Sequence, residues 1–226
     1  MLAISATEAW RVAHPGSAIG VLELSGAASA DASGRLADRQ RETEARLRDR
    51  YRGLTRQDFT SLPVMAAYVR YYKRFNKTYH VQLQLESIVL KGKSLPSVSP
   101  LVDANFAAEV ETLVLTAGHD ATKLEGAVSI DVSRDGDQMT QMNGSLTALR
   151  PGDMVMRDAR GVCCSIIYGQ DNRSPISRET SHVLYVAYAP AGVPAAAVEA
   201  QLGAIEDNVR LVSIALVVGQ RRVLAA

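Results

Sequence analysis

The chain has 226 residues, 47% of them hydrophobic and 22% charged, an ordinary globular composition with enough length to bury a core. Lys and Arg number 25 against 24 Asp and Glu, a net charge of +1, so the chain is no polycation and a nucleic-acid partner has to be held by a local patch. No apolar run reaches the roughly 18–20 residues of a spanning helix, and Met1-Leu2-Ala3-Ile4-Ser5 lacks the basic-then-apolar pattern of a secretory signal. The expected location is therefore the cytoplasm, with no membrane partner.

Residues 1–26 read as a strand, a turn at His14-Pro15-Gly16 and a second strand, Ala18 to Leu24, ended by Gly26. Asp31 then caps a charged helix from Arg35 to Arg52, whose arginines and carboxylates recur three and four apart. That spacing suits a solvated face stitched by ion pairs; the alternative is a phosphate-facing strip through Arg46, Arg48, Arg50, Arg52 and Arg56. A second helix spans Pro63 to Asn76 and ends in the basic aromatic run Tyr71-Tyr72-Lys73-Arg74-Phe75-Asn76-Lys77. Basic residues among aromatics suit single-stranded nucleic acid, but helical spacing favours partial burial of the tyrosines.

Val81, Leu83 and Leu85 alternate as in a strand, whereas Ile88-Val89-Leu90 fits strand or helix, with Gly92 as the stop. Ser99 to Leu115 reads as a third helix, with Pro100 in its first turn, and a turn follows at Ala117-Gly118-His119-Asp120. Beyond Gly126, apolar segments at 127–132, 138–142, 154–157, 161–168 and 182–189 alternate with turn signals such as Pro151-Gly152-Asp153, which predicts a curled antiparallel sheet. A final helix from about Pro194 to Arg210 carries the stripe Val198, Leu202, Ile205 and Val209. The apolar tail to Leu224 continues that helix or forms an edge strand.

Adjacent Cys163 and Cys164 cannot close an unstrained mutual disulfide and have no metal-ligand spacing. The aspartates 131, 135, 137 and 153 do not follow calcium-loop spacing, so no metal and no cofactor is expected. The phosphate-loop, dinucleotide, HExxH and GxSxG motifs are missing.

Three segments carry a family resemblance: Lys91-Gly92-Lys93-Ser94-Leu95-Pro96, then Leu101-Val102-Asp103-Ala104-Asn105-Phe106, then His119-Asp120-Ala121-Thr122-Lys123-Leu124-Glu125-Gly126. Downstream come Pro151-Gly152-Asp153, Ile166-Ile167-Tyr168-Gly169-Gln170-Asp171 and Glu179-Thr180-Ser181-His182-Val183-Leu184. In this order they resemble the B3/B4 editing module of the phenylalanyl-tRNA synthetase β subunit, over about residues 60 to 190. Extra elements at both ends resemble the stand-alone members.

The resemblance implies an α+β, B3/B4-like fold, with helices packed on a curled antiparallel sheet or partly closed β-barrel and the whole chain forming one domain. It implies a cleft for the aminoacylated 3′ end of tRNA, no DNA partner, and a trans-acting hydrolase that deacylates mischarged tRNA. The alternatives are a non-catalytic module binding tRNA or an amino-acid-like ligand, and a small-molecule ester or amide hydrolase. His119, Thr180 and Tyr185 are the expected catalytic side chains, with Asp103, Asn105, Gly169, Asp171, Arg173 and Arg178 binding substrate. The chain departs from the family pattern where Ala117 stands in place of the editing histidine and Tyr185 in place of a strand carboxylate.

Overall fold

The computed structural model describes residues 1–27 and 33–226. Asp31, expected as a helix cap, lies outside them. Chain order begins with β1 (Ile4–Ala6), α1 (Glu8–Ala13) and β2 (Ala18–Ser25). Helix α1 was not expected from the sequence. Thr7 starts it: its hydroxyl accepts from Trp10 N at 3.1 Å and donates to Asp131 at 2.8 Å, which fixes Trp10 in the core.

Helices α2 (Arg35–Arg50), α3 (Arg56–Ser61), α4 (Pro63–Lys73), α5 (His80–Val89) and α6 (Pro100–Thr112) follow. Helix α3 is a further addition, started by a capping box between Thr55 and Asp58. The alternation at Val81, Leu83 and Leu85 is not that of a strand. Val81, Leu85 and Ile88 are buried and Leu83 is exposed, the three-and-four spacing of one helix face.

The remaining elements are β3 (Thr116–Asp120), β4 (Val128–Val132), β5 (Gln138–Thr140), β6 (Leu146–Ala148), β7 (Met154–Asp158), β8 (Gly161–Ser165), β9 (Gly169–Gln170), β10 (His182–Ala189), α7 (Ala195–Arg210) and β11 (Val217–Ala225). The apolar tail is thus an edge strand. The expected turn at Ala117–Asp120 is instead strand β3, which pairs antiparallel with β10 so that Gly118 faces Tyr185. A glycine-bearing segment reads locally as a turn, and only a distant partner strand holds it extended.

The fold class is α+β. Rather than one curled sheet, the strands form an open five-stranded sheet, β1-β4-β7-β8-β9, an open four-stranded sheet, β11-β2-β10-β3, and the β5–β6 hairpin. The pair β1–β4 is parallel and all other pairs are antiparallel. One apolar cluster runs from Ile4 to Leu216, and a small satellite of Met139, Leu149, Val155 and Val162 lies by the hairpin.

Helix α7 packs its stripe, Val198, Leu202, Ile205 and Val209, fully into this core. It approaches β2 at Gly20, where a Cβ would stand 2.6 Å from the Val198 side chain; any larger residue there has to push the helix away. A polar seam joins α7 to α6. Asn208 Nδ2 donates to Ala104 O at 3.0 Å, and Gln201 Nε2 donates to Thr116 Oγ1 at 3.0 Å and to Asn105 Oδ1 at 3.4 Å.

Beneath that seam Glu109 is buried, accepting from Thr116 N at 2.6 Å. Burial pushes its carboxyl up to about 8, against the opposing hydrogen bonds from Thr116 and Asn105. The folded chain therefore keeps a proton that the unfolded chain releases above the ordinary value of 4.5. Stability from this group is complete below that pH and falls as pH rises towards about 8. Glu109→Gln is expected to flatten the decline of melting temperature over that window, measured by thermal unfolding at stepped pH.

Candidate ligand cavity

A cavity of about 410 Å³ opens between the two main sheets and α6. Helix α6 gives Val102, Asn105 and Phe106, β3 gives Thr116, Ala117 and Gly118, and β10 gives Tyr185 and Tyr188. The opposite wall is Cys164, Ser165 and Ile166, continued by Gly169 and Gln170, with Pro175, Ile176 and Met142 near them and His80 contributed by α5. The lining is mostly apolar, the character of a site that takes an organic side chain.

Most polar groups on this wall are already engaged. Asn105 Nδ2 donates to Thr116 O at 2.9 Å. Ser165 donates to Asp153 and accepts from Tyr168 N at 3.0 Å. Gln170 Nε2 donates to Ser174 O at 2.8 Å and reaches His119 Nδ1 at 3.0 Å. Two side chains stand apart. The buried Tyr188 hydroxyl has no nitrogen or oxygen partner and only the Cys164 thiol, a weak hydrogen-bonding group, beside it. His80 is exposed, with Nδ1 3.4 Å from the Tyr72 hydroxyl, and desolvation of its ring lowers its pKa.

The residues expected at the site divide into three groups. Asn105, Gly169 and Tyr185 line the cavity, although the Tyr185 hydroxyl donates to Leu101 O at 2.7 Å. Asp103 and Arg178 line a separate hollow of about 530 Å³ beside α2, which shares only Val98 with the cavity. That hollow is larger but as polar as it is apolar. Asp103 is occupied there, accepting from Val98 N at 2.8 Å and Ser97 Oγ at 3.0 Å.

His119, Thr180, Asp171 and Arg173 lie behind the cavity wall. His119 is fully buried, with Nδ1 2.8 Å from Ser174 Oγ and Nε2 unpartnered. Burial, then the Arg173 charge, lowers its pKa to about 3, so the ring stays neutral. The Thr180 hydroxyl donates to Asp120 at 2.8 Å and accepts from Ser177 N at 2.9 Å. Burial opposes ionisation of Asp120, but hydrogen bonds from Thr122 and Thr180, with the Lys123 charge, hold its pKa below the usual value.

Arg173 bridges two carboxylates. It meets Asp158 through both terminal nitrogens, at 3.1 and 3.2 Å, while its Nε lies 2.6 Å from Asp171 Oδ2 as an ion pair not aligned for a hydrogen bond. Asp171 also accepts from the backbone of Arg173 and Ser174. These four residues brace the loop from 171 to 180.

A family model for the B3/4 domain matches residues 64–209, more than half of the chain. The chain belongs to the B3/4 domain family. The match overlaps the stretch from about 60 to 190 that carried the sequence resemblance and spans every protein segment lining the cavity. Among solved structures, the chain is similar to an N-terminal fragment of the phenylalanyl-tRNA synthetase β subunit from Pyrococcus horikoshii, at 6% identity and a TM-score of 0.48. That alignment covers 98% of this chain and 50% of the other, so the chain spans half the length of that fragment. A search of curated proteins finds no match.

His80, Ser165, Gln170 and Tyr188 also line the cavity, and the sequence did not single them out. Gln170 lay inside a quoted motif, and His80 sat one residue before a segment read as a strand. Nothing local marks Ser165 or Tyr188. Among the described residues no cluster of three His, Cys, Asp or Glu side chains is arranged to hold a metal ion, and no helix is long and apolar enough to cross a membrane.

The hydrogen bonds separate bracing from contact with ligand. Tyr185→Phe keeps the ring and is expected to cost about 1 kcal/mol of stability through the lost bond to Leu101, leaving ligand binding intact. Thr180→Val is expected to cost more, about 1–3 kcal/mol, because Asp120 and Ser177 N lose a buried partner. Denaturant titration beside ligand titration checks both; lost binding at unchanged stability would mark direct contact instead.

Proposed function

We propose that this B3/4 chain recognises an apolar or aromatic amino-acid group, presented on the 3′ end of a tRNA, in the cavity between α6 and the two sheets. The carrying observation is the mostly apolar cavity with one phenol, Tyr188, in its wall whose hydroxyl meets only the weak Cys164 thiol. An apolar side chain displaces poorly held water from such walls. The shared core from Ile4 to Leu216 supports the whole chain acting as one unit.

Recognition is favoured over hydrolysis by the engagement of the other polar groups. Ester hydrolysis needs a placed water and donors aimed at the developing oxyanion. His119 is buried behind the wall and held neutral, Thr180 is tied to Asp120, and the Tyr185 hydroxyl is bound to a carbonyl. One observation supports trans-acting deacylation as a second reading: His80 stands at the cavity, exposed and with a lowered pKa. A neutral imidazole there is suited to take a proton from water.

Calorimetric titration with amino-acid amides tests recognition. Apolar and aromatic amides are expected to bind and charged ones to fail. Gly118→Ala places a Cβ 2.7 Å from Ile176 and 3.0 Å from the Tyr185 ring and is expected to weaken binding about tenfold, near 1.4 kcal/mol. Absent binding, or binding indifferent to Gly118→Ala, would sink this reading. Release of amino acid from mischarged tRNAs, lost in His80→Asn, would establish the second.

A further inference from the structure

Many basic side chains at the surface have a carboxylate partner. Five arginines on and just after α2 are neutralised: Arg41 pairs with Asp38, Arg46 with Glu111, Arg48 with Glu44, Arg52 with Asp49 and Arg56 with Glu86. Arg46, Arg48, Arg52 and Arg56 belong to the strip considered for phosphate contact, and the carboxylate beside each offsets its charge towards an anion. Arg50, also of that strip, forms no ion pair among the described residues and lies over the Tyr51 ring at 5.1 Å.

The C-terminal end of α4 is different. Arg70, Lys73, Arg74 and Lys77, together with Arg150 in the turn before β7, are exposed and form no ion pair among the described residues. Three of them are brought together. Arg74 lies over the rings of Tyr71 and Phe75, at 5.3 and 5.6 Å, and Arg150 lies over the same Phe75 ring at 5.6 Å. Arg70 and Arg74 line one hollow of about 250 Å³ with His14, Pro15, Pro190 and Ala191. The buried rings hold the Arg74 and Arg150 guanidinium groups in place, so less freedom is lost when they bind an anion.

We propose that Arg70, Arg74 and Arg150 form a docking surface for the phosphate backbone of a structured RNA, an inference that rests on the tRNA reading above. The planar guanidinium matches two phosphate oxygens at once. Tyr71, Tyr72 and Phe75 are buried, so bases cannot stack on them and the contact is with backbone, independent of sequence. No exposed large apolar residue lies on α4 or in the turn at 149–152, where insertion into a lipid surface would need one. The same helix end is fastened to the cavity: the Tyr72 hydroxyl donates to Ile166 O at 2.7 Å, and Ile166 lines the wall.

The test is fluorescence anisotropy of a labelled, uncharged tRNA transcript titrated with the full chain at several salt concentrations. The variants are Arg70→Gln/Arg74→Gln/Arg150→Gln and, as control, Arg41→Gln/Arg52→Gln. The triple variant is expected to bind at least tenfold more weakly and to lower the slope of log affinity on log salt by about 2–3, near 0.7–0.9 per lost contact. The control is expected to match the parent, and circular dichroism to show all three folded.

An unchanged slope in the triple variant, or equal losses in the control, overturns the proposal. So does binding to anionic phospholipid vesicles without binding to RNA. A parent chain that binds amino-acid amides but no RNA overturns the surface and leaves the cavity reading standing. RNA binding lost in the triple variant, with no amide bound by the parent, upholds the surface and sinks the cavity reading.

Discussion

The pairing of β2 with β10 is the constraint on which the rest of the molecule depends. Eight residues, Ala18 to Ser25, run antiparallel to His182–Ala189, joining segments more than 150 residues apart. Both strands are buried almost throughout, so a one-residue slip would turn every side chain to the opposite face of the sheet. Tyr185 and Tyr188, three residues apart on β10, point to opposite faces, and both border the cavity. The pairing also offers β10 the edge on which β3 pairs, and β2 the edge that β11 covers.

Around this sheet, buried aspartates hold the loops. Asp103, Asp120, Asp153, Asp158 and Asp171 are each at most 8% exposed. Each accepts from backbone amides or from hydroxyl or guanidinium donors beside it. Asp153 is the most enclosed: Tyr71 donates to one oxygen at 2.6 Å and Ser165 to the other. Burial raises its pKa to about 6 in spite of these donors, so its interactions cost desolvation as well as give order. These carboxylates secure the geometry of the loops around the cavity.

Cavity and surface have opposite character. The cavity is apolar and nearly all its polar groups are used, whereas the far end of α4 carries cations that no carboxylate answers. The aromatic residues of α4 serve both sides. Tyr72 reaches the cavity wall through Ile166, and Tyr71 and Phe75 support Arg74. The end of this helix therefore relates the two regions at a fixed geometry.

By itself the sequence determined the α+β class, the helices α2, α4, α6 and α7, most strands after Gly126, and the family. Each rests on local period, capping or ordered motif. It also indicated that the tyrosines of the Tyr71–Lys77 run would be buried, since helical spacing alone puts them on one face. Tertiary contact decided the rest. Gly118 and His119 look like a turn until β10 holds them extended, and Val81–Leu85 alternates like a strand until the core selects positions three and four apart. Asp103, Thr180 and Arg173 look like chemistry in motif order, yet their donors and acceptors are spent on partners distant in sequence or across a loop. Which polar group is left with only a weak partner, as with Tyr188, depends on every neighbour in space, and a linear chain does not state its neighbours.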